Sequence, residues 1–367
     1  MSNNYLEVVR GVKLLGYQKK EVTTNVYRFI DPSNPERFVL SPKVVKDRYE
    51  ITDLLSNASG FGLVFIAKDT KLLNKKVLVK AINYKKAFNK NSLDAKEKIL
   101  LRRKNLKLES QILLKLNNLN VASVPLFIDY IEGYSPAIQW PDGNVGVGTP
   151  AFNELAMNEP YFFLQYIKGQ TLSEKAKNTD KDSLSWQIEV LRVAQRILNI
   201  FDVIHSGDEK VESYIYQDLK PDNLIASPNG TYTLIDFGGV ALNMPGKNST
   251  YNKGIGTPGY MAPEIADPAI MKIDRRADIY SLGVLIWSLL MKEELINYID
   301  ESGIIKKVDL SSIEDYAYEP VCRIIEKAVQ KDPNKRYKDS YQMYGKISDA
   351  LKKLNKINSC FREEEII

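Results

Sequence analysis

Residues 216–238 read YQDLKPDNLIASPNGTYTLIDFG, and this stretch decides how the rest of the chain is read. Two of its three carboxylates, Asp218 and Asp236, carry the reading, with Lys220 and Asn223 close behind the first. The second opens Asp236-Phe-Gly238, which follows the strand-like run TYTLI. Two further signals lie outward from it. Upstream, Lys80 sits within the apolar run VLVKAI; downstream, Gly256-Thr-Pro-Gly-Tyr-Met-Ala-Pro-Glu264 precedes a helical segment. Each alone carries little, because an Asp-Phe-Gly tripeptide arises by chance and a strand lysine ordinarily faces solvent. Their order and intervals carry the weight.

Composition narrows the classes around these signals. The 367 residues include 51 basic and 46 acidic side chains, a net +5, with 44% hydrophobic residues. Such a chain has ample apolar material for a core and is not disordered throughout. Two cysteines, Cys322 and Cys360, exclude a disulfide scaffold and an all-cysteine zinc site. The single His205 excludes a multi-histidine metal centre. The modest positive excess has no dense basic tract, so nucleic acid is not expected as a partner. The strongest apolar run, Ser281 to Met291, is about half the length a membrane-spanning helix needs. The first residues show no signal-peptide pattern. The expectation is a cytoplasmic or otherwise intracellular protein without a membrane partner, with secretion as a bacterial effector left open.

Patterning divides the chain. Residues 1–47 mix short apolar patches with turn material such as Asp31-Pro-Ser-Asn-Pro35, and read as an extension packing on the domain that follows, with a free tail as the alternative. From Tyr49, ITDLL, GLVFIAKD and KVLVKAI are short apolar, β-branched runs that predict an antiparallel meander. Residues 93–116 have helical spacing, with Leu106, Ile112, Leu113 and Leu116 on one face. Strands are expected at Pro125–Glu132 and Tyr161–Ile167, around a Gly-, Pro- and Asn-rich insertion at 133–160. Helices are expected at Trp186–His205, Asp274–Met291, Pro320–Gln330 and 340–356, before a charged tail at 357–367. A strand-rich part at 48–167 and a helix-rich part at 168–356 predict an α+β chain with two lobes and a cleft between them.

Taken together, the four signals and this order of parts resemble the protein-kinase family, over about residues 49–356. The resemblance implies a bilobal fold, with a small antiparallel-sheet lobe carrying one main helix and a larger helical lobe. It implies ATP and Mg2+ as cofactors, with Mn2+ as an alternative metal, and protein substrates presenting Ser or Thr hydroxyls. Phosphoryl transfer needs alignment and charge compensation, which accounts for the residue types. Lys80 is implied for the α/β-phosphates, with Glu109 as its ion-pair partner and Glu97 as the competing choice. Asp236 and Asn223 are implied as metal ligands, and Asp218 as the carboxylate that accepts the hydroxyl proton. Lys220, two residues past Asp218, resembles the serine/threonine branch, as does Thr257 beside the acceptor. Val64, Leu78 and Ile225 are implied around the adenine ring, Leu164 as gatekeeper, and Gln165 and Ile167 as the linker presenting backbone groups to adenine. Tyr216 is expected to stack with Phe237, Phe127 and Leu113. His205 reads as a packing residue, Glu264 as the partner of Arg336, and Asp278 as an acceptor for backbone N–H groups of the catalytic loop.

The chain departs from the family pattern at two places. The phosphate-covering loop reads Asn57-Ala-Ser-Gly-Phe-Gly62, with Asn57 and Ser59 where glycines are expected and only Gly62 retained. Side chains there limit how closely backbone approaches phosphate, although Asn tolerates unusual dihedrals and Ser59 offers a hydroxyl. The usual His-Arg before the catalytic Asp is Tyr216-Gln217, and a neutral Gln217 cannot form the ion pair that couples a phosphorylated activation segment to the loop. An active kinase that needs no such phosphate is expected. These departures also keep open a pseudokinase or ATP-binding signalling scaffold.

Overall fold

The structure is a computed structural model that describes residues 16–56, 62–83, 95–136, 156–206, 213–243, 256–267 and 273–364. The first unit comprises residues 1–118 with 125–169. Six strands pair in the order β4-β5-β6-β7-β9-β8: β4 (Val44–Val45), β5 (Tyr49–Ser56), β6 (Gly62–Asp69), β7 (Lys75–Ile82), β8 (Phe127–Gly133) and β9 (Glu159–Gln165). Every pairing is antiparallel. Adjacent residues on a strand face opposite sides. Leu63, Phe65, Val77, Val79, Tyr161 and Phe163 therefore share one face, and they bury together with Tyr49 and Ile51. Tyr49 and Phe163 stack with centroids 3.8 Å apart.

A second sheet, of β1 (Gln18–Thr23), β2 (Val26–Asp31) and β3 (Asn34–Pro42), joins the same core through Phe29 and Val39. The Phe29 ring lies 5.8 Å from that of Phe65. The single long helix of the described residues in this unit, α1 (Ala95–Asn118), buries Ile99, Leu106, Ile112, Leu113 and Leu116. Its C-terminal end is fixed by Asn117, whose Nδ2 donates to Pro125 O at 3.0 Å while Phe127 N donates to its Oδ1 at 2.6 Å. Strands β8 and β9 extend to Gly133 and from Glu159, so the insertion expected at 133–160 is shorter by the residues those strands take; 137–155 lie outside the described residues.

Residues 119–124 and 170–367 form the second unit. It opens with β10 (Gln170–Thr171) and α2 (Leu172–Lys177), where Thr171 and Glu174 make a reciprocal capping box. Next, α3 (Leu184–His205) is capped by Ser183 and is buried along most of its length, from Trp186 to Ile204. Short strands follow: β11 (Ser213–Ile215) pairs with β14 (Ala241–Asn243), and β12 (Leu224–Ala226) pairs with β13 (Tyr232–Leu234) and β10.

After α4 (Pro263–Ala266), α5 (Arg276–Leu290) is buried on nearly every side and α6 (Glu319–Ala328) on one, through Val321, Ile324, Ile325 and Ala328. The two meet at Gly283, where a Cβ would lie 2.6 Å from the Ala328 Cβ. The last helix, α7 (Ser340–Glu364), runs eight residues beyond the expected end at 356, so most of the charged tail is helical. The fold is α+β, a strand-rich unit with one main helix and a helix-rich unit. Among the described residues no helix is long and apolar enough to cross a membrane.

Candidate active site

In the first unit, register brings the expected nucleotide residues onto one face. Val64 of β6 lies opposite Lys80, and Leu164 of β9 lies opposite Leu78. By strand alternation all four share the side turned away from Phe65 and Val79. Helix α1 meets this side, because Lys80 Nζ donates to Glu109 Oε1 and both residues are buried. Glu97 sits exposed in the first turn of α1, so the ion pair is made with Glu109. Gly62 opens β6 opposite Ile82, and a Cβ there would fall 2.6 Å from Ala81 O. Any side chain at 62 must displace the strand. Asn57 and Ser59 lie outside the described residues. Gln165 spends its side chain locally: its backbone N–H donates to Leu126 O at 2.8 Å, and its Oε1 accepts from Leu126 N at 3.1 Å. Ile167 lies just past β9 and is half-buried.

The second unit gathers the remaining polar residues into one network. Thr257 Oγ1 donates to Asp218 Oδ1 at 2.6 Å and accepts from Lys220 Nζ at 2.7 Å. Lys220 also reaches Asp218 Oδ2 at 3.1 Å. Asn223 Nδ2 donates to the Asp218 carbonyl at 2.8 Å and to its Oδ2 at 3.2 Å. The Asp218 side chain keeps 21% of its surface exposed, so one carboxylate is oriented from three sides and still open to a further group. Asn223 and Asp236 are brought alongside by the β12–β13 pairing, with Ile235 N donating to Asn223 O at 2.9 Å. Asp236 Oδ1 accepts from Gly238 N at 3.2 Å. Burial pushes the Asp222 carboxyl up, against the pull of Lys220, and burial pushes the Tyr260 hydroxyl up to about 12.

Below this network the loop is fastened to α5. Asp278 is fully buried; its Oδ2 accepts from Tyr216 N at 2.7 Å and its Oδ1 from Gln217 N at 2.9 Å. His205 Nε2 lies 2.7 Å from the same Oδ2, and an acceptor-only carboxylate requires that Nε2 carry the proton of this bond. The imidazole is a packing and bonding residue. Glu264 and Arg336 form a buried bidentate pair at 2.5 and 2.8 Å. Tyr216 meets Phe237 edge-to-face at 5.6 Å, and its hydroxyl donates to the Asp236 carbonyl. Phe127 and Leu113 belong to the first unit, where Phe127 lies 5.9 Å from Phe162 and Leu113 is buried. Ile225 is buried in β12.

Two features of the site had no reading in the sequence. The Tyr216 hydroxyl ties the loop before Asp218 directly to Asp236, a bond no spacing rule announces. Gly239 leaves room for Asp218, since a Cβ there would fall 3.0 Å from the Asp218 Cβ. The adjacent glycines at 238 and 239 were the available signal.

With this geometry in place, comparison with known proteins gives the class. The protein kinase domain model matches residues 59–344, and the chain belongs to that family. Its relatives include a serine/threonine-protein kinase D of Synechocystis, 28% identical over 84% of this chain and 53% of that protein. A probable serine/threonine-protein kinase of Clostridium acetobutylicum is 23% identical over 84% of this chain and 40% of its own length. A serine/threonine-protein kinase of Schizosaccharomyces pombe is 33% identical over 33% of this chain and 35% of its own. The chain thus spans about half or less of the curated relatives it matches.

Proposed function

We propose that this chain transfers the γ-phosphoryl group of ATP to serine or threonine hydroxyls of protein substrates. The observation that carries the reading is the Thr257–Asp218–Lys220 network. A serine or threonine hydroxyl entering beside the open part of Asp218 would donate to its carboxylate, which accepts the proton as the oxygen–phosphorus bond forms. Lys220, held by Thr257 at 2.7 Å, places a cation where the transferred group's negative charge passes. Lys80, held by Glu109, is assigned to the α/β-phosphates, and Val64, Leu78, Leu164 and Ile225 to the adenine, with Gly62 in the covering loop. Thr257 also marks the acceptor's side of the site.

Asp236 and Asn223 fit a hard divalent cation of the Mg2+ kind: both offer oxygen donors, and Asn223 O accepts from the N–H of Ile235, the residue before Asp236. Among the described residues no three His, Cys, Asp or Glu side chains converge on a metal position. That suits an ion which keeps waters and phosphate oxygens as its other ligands. When bound, such an ion supplies neutralising charge at the phosphates. Gln217 supports a finer reading, that activity needs no phosphate on the activation segment, because it gives that phosphate no cation to pair with.

The test uses labelled ATP, Mg2+ and a basic protein substrate, with wild type beside Asp218→Asn, Lys80→Met and Asp236→Asn, each checked by circular dichroism. Wild type is expected to label Ser and Thr, and each variant to fold and lose at least 100-fold in rate. Folded variants that turn over like wild type, or a wild type that labels nothing, would favour an ATP-binding scaffold.

A further inference from the structure

Glu159 is the first residue of β9, at the base of the insertion, where Ser135 N donates to Ala156 O at 2.7 Å. Its side chain is almost entirely buried, a costly place for a carboxyl group unless it is used. Two groups meet it. The Ile82 N–H donates to it from the end of β7, two residues beyond Lys80. Arg103 Nη2 donates to its Oε2 at 3.2 Å from α1, six residues before Glu109. One carboxyl therefore touches both the strand that carries Lys80 and the helix that carries Glu109. A neighbouring bond, Arg102 Nη1 to Asn83 O at 2.9 Å, ties the same turn of α1 to the residue following β7.

Lys80 and Glu109 have long side chains, and their meeting depends on where strand and helix lie relative to each other. The Arg103–Glu159 contact sits about 9 Å along the helix from Glu109, given the rise per residue of an α-helix. Asn117 fixes the C-terminal end of α1, and the Arg103–Glu159 contact, beside Arg102 to Asn83, fixes the part of the helix before Glu109. With both ends held, the height and the rotation of α1 against β7 are set. Residues that place another group act through it, and a misplacement on the order of 1 Å is enough to cost a reaction of this kind about 100-fold.

We propose that Glu159, with Arg103, is a positioning residue for the Lys80–Glu109 pair, fixing α1 against β7 so that Lys80 is presented to the nucleotide phosphates. The proposal rests on the phosphate role assigned to Lys80 above. It differs from a packing role in one respect: its effect passes through Glu109 and must disappear when Glu109 is removed. Burial pushes the Glu159 carboxyl well above the ordinary carboxylate range, so a neutral acceptor of the same shape suits the site. Glutamine retains one carbonyl oxygen as an acceptor for Arg103.

The experiment is a double-mutant cycle in kcat/KM for ATP, with melting temperature recorded for every variant. Glu159→Ala and Arg103→Gln are each expected to lower kcat/KM ten-fold or more, while Glu159→Gln stays within three-fold of wild type. In a Glu109→Gln background, adding Glu159→Ala is expected to cost less than three-fold further. If Glu159→Ala yields no folded protein, Arg103→Gln, which leaves the Ile82–Glu159 bond in place, carries the same cycle. A ten-fold loss in both backgrounds would mean a role independent of Glu109 and would overturn the proposal. So would wild-type turnover in Glu159→Ala or Arg103→Gln beside an inactive Lys80→Met. Wild-type turnover in Lys80→Met itself would instead remove the phosphate role of Lys80, and the positioning role with it.

Discussion

Gln217 stands where an arginine would join Asp218 to a phosphorylated segment, and its surroundings are unusual. It adopts φ 67°, in the left-handed region, and is 1% exposed. Among the described residues neither its Oε1 nor its Nε2 has a hydrogen-bond partner. Asp278 holds its backbone N–H, so the strained dihedral is maintained from α5 whatever the side chain does. Loop geometry and side-chain charge are thus separate. Protein treated with phosphatase and confirmed by mass to be unmodified is expected to phosphorylate a peptide within three-fold of the untreated rate. A Ser249→Ala/Thr250→Ala double mutant is expected to do the same. A ten-fold fall in both, with folding intact, would show that phosphate orders the segment through another cation, such as Lys253. At this level close spacing was readable as proximity: Asp218, Lys220 and Asn223 lie within six residues of chain and meet in one hydrogen-bond network. The sequence was not readable where a bond depends on distant backbone: Tyr216 to the Asp236 carbonyl and Arg103 to Glu159 join residues 20 and 56 apart.

The β5–β6 hairpin shows what secures the sheet that presents Lys80. Asp69, at the end of β6, is completely buried and accepts from Arg48 Nε at 2.8 Å and Nη2 at 2.7 Å, and from Lys71 N at 3.1 Å. The bidentate Arg48 contact holds the Asp69 carboxyl below its ordinary value. A depressed carboxylate stabilises the fold above its unfolded pKa of about 4, and this contribution is lost as pH falls through the lower folded value. Asp69→Asn is therefore expected to melt at least about 4 °C below wild type at pH 7. The gap should shrink steadily below pH 4, as wild type loses what the variant never had. A gap constant from pH 7 to pH 2 would assign the effect to packing. Elements with strong periodicity, such as α3 and β5 to β7, were legible from their apolar spacing. Of the strands β10 to β14, two or three residues each, only β13, within the strand-like TYTLI, was legible; nothing local distinguishes the other four from loop, and only pairing with a distant strand creates them. The end of α7 was missed for a related reason: Asn358, Ser359 and Cys360 are weaker helix formers, so nothing local announces that the helix runs on to residue 364.

Across the whole chain, the reading of residues 1–47 had two outcomes open, an extension packed on the following domain or a free tail. Composition could not separate them, because β1 is exposed along its entire length and contributes no burial signal. The separation lies in β2 and β3. Phe29 is 1% exposed and Val39 is buried, and both share a core with Phe65, Val79 and Phe163, on the face of the sheet opposite Lys80. An antiparallel sheet commonly leaves one face to solvent; here α1 covers one face and the β1–β3 sheet bears on the other. Truncating a buried phenylalanine costs about 3–5 kcal/mol. Phe29→Ala should accordingly lower the melting temperature by at least about 6 °C, at 2–4 °C per kcal/mol. Removing residues 1–47 deletes Phe29, Val39 and Val45 together and bares the apolar face formed by Phe65 and its neighbours. The shortened protein is expected to aggregate on expression, or to melt lower still than Phe29→Ala. A soluble truncation melting with the full chain, beside a Phe29→Ala variant of unchanged stability, would make these residues a tail and leave the six-stranded sheet able to stand without them.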